Sequence, residues 1–492
     1  MLVMGIDVGT QGVRALIADV AGHVRAEADV PFGVQELGAS RPGWFEQDPR
    51  LWREALYAAV GQALADLGQP AEEIAALSVT STSGTLCLAD ADGEPLGPAI
   101  MYSDMRCADE AAEAQAAGAD LANKLGSQIG ASWALSKLLW VARHEPERLA
   151  QARWATSPTD LVIGWLTGRW GRMDWTNALK WAYDVVDLRW PTFITDALGL
   201  PAGLLPEVDA PGTPIESVSP LAAEATGLST RTLVVAGATD GNASQFASGA
   251  VAPGDWNSTL GTTLVLKGVT TALLRDPLGR VYCHRHPDSG GVGEGGDDAL
   301  WLPGGASSSG ADAIAQRFAA EDLPRLNAAA QALAPTELTV YPLMRRGERF
   351  PFHAPDAEGF VLGEAADEAT LFRGYLEGLA YVERLSYDTV EALGAPVGDT
   401  IYAVGGATRS DAGVQIRADV LGRTLAVPVT PLGAMGAAVL AARGCAFPSV
   451  AEAAGAMVRI GQRVEPQAER AAAYQERYAR FLDACRQRGY LP

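Results

Sequence analysis

The first nineteen residues carry two apolar runs around a polar break. Leu2–Ile6 and Val13–Ala18 read as strands, and the GTQG between them reads as the tip of a β-hairpin. Further strands are expected at Ile74–Thr80, Thr85–Ala89, Leu233–Ala236 and Thr400–Val404. Leu51, Ala55, Leu56, Ala59, Val60 and Leu64 recur at helical spacing and predict a helix over Pro49–Leu67. Other helices are expected over Ser136–Arg143, Val414–Leu421, Ala434–Ala442 and Glu469–Arg488, the last read as solvated from its many charges. Half a chain after the first hairpin, STLGTTLVL at 258–266 repeats its strand–turn–strand pattern, as a duplicated architecture would.

Strand–helix alternation in both halves predicts two α/β domains facing a cleft. A proline-rich connection runs over 205–214, and the boundary is placed after 245. This gives domains 1–245 and 246–492, with the terminal helix packing back across domains. A chain of 492 residues is too long for one core, which agrees.

Composition narrows the function. A net charge of −21 argues against nucleic acid or an anionic membrane as partner, since both need a basic surface. Apolar residues make up 48% of the chain, yet no run approaches the ~20 that span a bilayer. Met1 leads directly into the first strand without a basic leader, and the five cysteines are scattered without CxxC pairs. The expectation is a soluble cytoplasmic protein whose phosphate sites, if any, are local.

Three glycine-rich segments carry candidate chemistry. In the first hairpin the glycines are expected to supply positive φ, and bare amides at the tip make an anion-binding concavity. Asp7, just before the tip, can hold the magnesium that accompanies a nucleotide's phosphates. Asp240, in GATDGN at 237–242, follows an apolar strand where ligands of α/β sheets gather. It reads equally as a general base toward a hydroxyl attacking a γ-phosphoryl group or as the cap of the next helix. GGATRS at 405–410 lets a planar base lie on backbone or is an ordinary strand–helix loop. GERFP at 347–351 suggests a Glu–Arg ion pair of structural use. GVGEGG at 291–296 satisfies a dinucleotide pattern but lacks the following helix, so it is read as a loop. Cys283, His284 and His286 lack a partner cluster for a metal.

In order, GIDVGTQG (5–12), YSDMRC (102–107), GATDGN, STLGTT (258–263), GERFP and GGATRS resemble the FGGY carbohydrate kinases, which share the actin-like, ribonuclease H-like two-domain ATPase fold. The resemblance implies ATP and Mg2+ as cofactors and a small-molecule sugar as partner, with neither nucleic acid nor membrane, and is compatible with a homodimer. It assigns Asp240 as catalytic base and Asp7 with Asp240 as metal-orienting carboxylates. Thr10, Gln11, Gly12, Arg14, Gly261, Thr262, Thr263, Ser309 and Gly310 match the phosphate-binding segments, and Gly405, Gly406 and Arg409 the adenosine turn. For the sugar it implies Asp7, Thr82, Ser83, Gly84, Asp104 and Asp240, with Asn177 and Lys180 second. TSTSGT at 80–85 and DWTNALKWAYD at 174–184 are similar to a D-ribulokinase-type branch, where xylulokinases usually carry a Gly-Gln-Met-His-Gly loop. Phosphorylation of D-ribulose is therefore the first expectation, D-xylulose the alternative, and a non-catalytic ATPase switch on the same fold the distant rival.

Overall fold

The computed structural model describes residues 1–33, 41–290 and 299–491; the GVGEGG segment lies outside them. The chain forms two compact units. In the first, the strands 214–217, 233–235, 74–81, 2–8, 12–19 and 24–31 hydrogen-bond in that order, with Ala238–Thr239 also paired to Ile74–Ser81. In the second, 460–464, 424–428, 400–404, 256–260, 264–268 and 301–306 do the same. The directions match strand for strand. The first strand of each hairpin pairs antiparallel with the second and parallel with a later strand, Ile74–Ser81 or Thr400–Val404. The repeated hairpin is thus the visible part of a matching run of six strands in each sheet.

The units are not consecutive halves. The first comprises 1–249, 284–300 and 430–458, and the second the remainder. The division at 249/250 lies close to the expected one after 245, but two later segments return to the first unit. Packing explains the larger return. The helix Gly433–Cys445 is buried over its first ten residues and lies directly on backbone. A Cβ at Gly5 would sit 1.7 Å from the Ala434 carbonyl oxygen, and one at Gly436 1.8 Å from that of Ala243. Only a small-residue helix can lie this close to both the first strand and the helix Asp240–Ser248.

The terminal helix Ala468–Gln487 belongs instead to the second unit. It is not simply solvated: Tyr474, Tyr478, Phe481 and Cys485 form a buried stripe, and the Tyr474 hydroxyl meets the buried Arg373–Glu377 pair. The helix Pro49–Leu67 has the bounds its periodicity predicts, with Asp48 accepting from the Arg50 amide and Gly68 at φ 62° closing it.

Candidate active site

The first hairpin turns over Gly9–Gln11, where the Gly9 amide donates to the Gly12 carbonyl at 3.0 Å. Its glycines do not take positive φ, contrary to expectation. Gly12 is required for space: a Cβ there would lie 2.6 Å from the Val30 carbonyl oxygen on the next strand. Gln47, which sequence reasoning missed, steadies the tip by donating to the Thr10 carbonyl at 2.8 Å while accepting from the Trp52 indole. Beside the tip is a pocket of about 190 Å³ lined by Thr10, Gln47, Met101, Tyr102 and Ser103 among others.

Asp7 is the penultimate residue of the first strand, paired in register with Arg14 on one side and Thr80 on the other. Burial, reinforced by the Asp240 carboxylate, pushes its carboxyl from 3.8 up to about 7; Arg14 opposes the shift and Asp29 adds to it. Arg14 is itself paired with Glu27 and Asp29. The first turn of the helix Gly433–Cys445 approaches so closely that a Cβ at Gly433 would lie 2.4 Å from Asp7 Oδ2. Two neighbouring carboxylates could offer hard oxygen ligands to a divalent cation, which would relieve their mutual repulsion.

Asp240 is the first residue of the helix Asp240–Ser248, with Thr239 as its N-cap. It is therefore not the cap that the alternative reading required. Its Oδ1 accepts from the Gly241 amide at 2.6 Å. Lys180 is electrostatically coupled to it. Burial holds the lysine below its ordinary range and Asp240 works against that shift, while Nζ lies 3.5 Å from the Ser83 carbonyl oxygen. A Cβ at Gly84, φ 84°, would clash with the Ser132 carbonyl and the Lys180 side chain. In the same loop Thr82 and Thr85 share a hydroxyl hydrogen bond at 3.0 Å, whereas the Ser83 hydroxyl is buried without a protein partner. A second lysine, Lys137, stands behind; burial pushes it down to about 8, and its Nζ donates to the Ala131 carbonyl.

Asp104 and Asn177 each have hydrogen-bond partners within the protein. Asp104 is fully buried, accepting from the Phe45 and Arg106 amides and from the Arg106 guanidinium, which stacks 3.6 Å from the Trp44 ring centre. Asn177 donates to Asp174 at 2.6 Å. The Asn177 Oδ1 atom is buried without a hydrogen-bond partner.

In the second unit, Gly261–Thr263 form the other hairpin tip, and Ser309 and Gly310 lie against it. The Ala311 amide donates to the Gly261 carbonyl at 2.8 Å, and a Cβ at Gly310 would sit 2.2 Å from the Thr262 carbonyl oxygen. A Cβ at Gly405, φ 94°, would lie 2.6 Å from the Leu260 carbonyl oxygen, and the chain leads through Gly406–Arg409 into the helix Asp411–Leu421. Glu348 forms no ion pair with Arg349 among the described residues. It is 2% exposed and accepts from the hydroxyls of Ser307, Ser309 and Tyr341 and from the Ser308 amide, fixing the loop that covers the tip. Cys283 and His284 sit on the strand Tyr282–Arg285, followed by a buried His286, and no cluster of three metal-binding side chains exists among the described residues.

The model of the N-terminal domain of the FGGY family of carbohydrate kinases matches residues 2–247, and that of its C-terminal domain matches 291–445. This chain belongs to the FGGY carbohydrate kinases. It is 31% identical to a xylulose kinase of Streptomyces rubiginosus over 90% of this chain and 87% of that one. It is 30% identical to the xylulose kinase of Escherichia coli K12, covering 86% and 85%. The crystal structure of a xylulose kinase from Rhodospirillum rubrum superposes with a TM-score of 0.85 over 99% of each chain at 27% identity. The kinase is accordingly an ATP-dependent sugar phosphotransferase, and its mixed α/β architecture is the actin-like ATPase fold of these enzymes. No helix among the described residues is long and apolar enough to cross a membrane.

Proposed function

We propose that this kinase phosphorylates a ketopentose at its terminal hydroxyl, with D-ribulose as first substrate. The observation that carries the reading is the Thr80–Thr85 loop. It offers a buried, unpartnered Ser83 hydroxyl beside Lys180, and Lys180 is coupled to Asp240. A short hydroxyl and a cation can meet vicinal sugar oxygens without the bulk of a Met-His pair. Asp240 accepts the proton of the attacking hydroxyl as its oxygen bonds to the γ-phosphorus and the bond to ADP breaks. Thr10–Gly12 and Gly261–Thr263 hold phosphates through backbone amides, with Ser309 and Gly310 completing the second cradle, and Gly405, Gly406 and Arg409 receive the adenosine. Asp7 and Asp240 would hold Mg2+, which when bound offsets the charge on the phosphoryl oxygens. Their two-carboxylate donor set suits an ion that keeps waters and phosphate oxygens as its other ligands.

D-Xylulose is the second reading, favoured by the xylulose kinases among the relatives. The test is coupled ADP release over D-ribulose, D-xylulose, L-ribulose, L-xylulose, ribitol and glycerol. The highest kcat/KM is expected for D-ribulose. A preference for D-xylulose reverses the assignment, and failure of every sugar removes the pentulose claim.

A further inference from the structure

The segment that delivers Asp240 is held peptide by peptide. Gly237 passes so close to the strand Ile74–Ser81 that a Cβ would lie 1.9 Å from the Val79 carbonyl oxygen. The Ala238 carbonyl accepts from the Thr80 hydroxyl at 2.9 Å. The Thr239 amide, the last before the base, donates to the Thr176 hydroxyl at 3.0 Å. That hydroxyl has one proton, and it goes to Asp174 Oδ1, so the order of donation is fixed: Thr239 N–H to Thr176 Oγ1, Thr176 O–H to Asp174. Asp174 is 1% exposed and Thr176 fully buried. The carboxylate also accepts from the Thr176 and Asn177 amides and the Asn177 side chain, so it cannot turn away.

We propose that Thr176, oriented by Asp174, is a positioning residue for phosphoryl transfer, fixing the Thr239 peptide and so the aim of the Asp240 carboxylate. This rests on Asp240 being the base, as proposed above. General-base catalysis depends on sub-ångström placement, whereas sugar and nucleotide affinity are spread over many groups besides Asp240, so kcat is the parameter that suffers most.

The test compares Thr176→Val, which keeps shape and removes the hydroxyl, with Thr176→Ser, which keeps the hydroxyl. Thr176→Val should lower kcat by about 10- to 100-fold while both KM values stay within about threefold, and Thr176→Ser should recover most of the loss. Amide hydrogen exchange over residues 236–242 should quicken by about tenfold in the valine variant and stay near wild type in the serine variant. Wild-type kcat in Thr176→Val, equal loss in both variants, or loss of ATP binding with turnover overturns the proposal. Should the wild-type enzyme release no ADP with any sugar, the substrate reading fails. The exchange measurement still decides the clamp, and unchanged exchange overturns it.

Discussion

At the tip of the first hairpin Asp7 stands three residues before Thr10; at the matching place in the second, Thr259 stands three before Thr262. The backbone schemes around them are the same, strand for strand. Their carboxylates differ. In the first unit Asp7 is pushed up to about 7 by burial and by Asp240. In the second, Glu348 is turned inward and saturated by Ser307, Ser308, Ser309 and Tyr341. The two turns share a backbone scheme and differ in the charge around them. The acidic copy keeps two carboxylates in mutual repulsion, which the proposed mechanism uses for a cation and a proton, while in the other copy the carboxylate braces the loop over the tip.

The largest effect should come from neutralising the acidic copy. Asp7→Asn is expected to lower sugar-dependent ADP release by about 100-fold through weakened metal and phosphate placement. The same change should stabilise the ligand-free protein, because Asp7 binds its proton more tightly folded than unfolded. Below about pH 4 both states are protonated and nothing is gained. As pH rises toward 7 the unfolded chain releases the proton first, so the wild type loses stability that the variant retains. A melting point about 4–8 °C above wild type at pH 8, converging at pH 4, is the expected signature by calorimetry. A destabilised variant at pH 8 would remove the electrostatic account of Asp7.

A smaller effect is expected in the brace. Glu348→Gln leaves at least one of its amide or hydroxyl donors without an acceptor, and should raise KM for ATP about tenfold with kcat within about threefold. A fall in kcat at unchanged KM would place Glu348 in the chemistry and erase the contrast between copies. Smallest is Thr259→Val, which removes one hydroxyl in contact with Asn257 and should change KM for ATP by no more than about threefold. A loss as deep as that of Asp7→Asn would mean that the two copies share the same work.

The parts legible in the sequence carried their signal locally. Both turns, the placement of Asp7 and Asp240 beside strand ends, and the helix Pro49–Leu67 were each legible within a few residues. What stayed hidden depends on distance in the chain or on symmetry of burial. The Thr176–Thr239 bond joins residues 63 apart, and Glu348 reaches serines about 40 residues away, beyond any spacing rule. The helix Gly433–Cys445 is apolar all round, so its pattern names no face and no unit. In the terminal helix the charges obscured a stripe of Tyr474, Tyr478 and Phe481 at helical spacing. The hairpin glycines were found for the wrong reason: close strand packing at Gly12, not left-handed backbone, requires the missing side chain.

The most direct test is D-ribulose-dependent ADP release by wild type and Asp240→Asn at saturating Mg·ATP, with nucleotide binding measured alongside. Many-fold stimulation by the sugar in wild type, reduced at least ~100-fold in the variant with ATP still bound, is the predicted result. Wild-type-like turnover in Asp240→Asn, or ATP hydrolysis indifferent to any sugar, would contradict it.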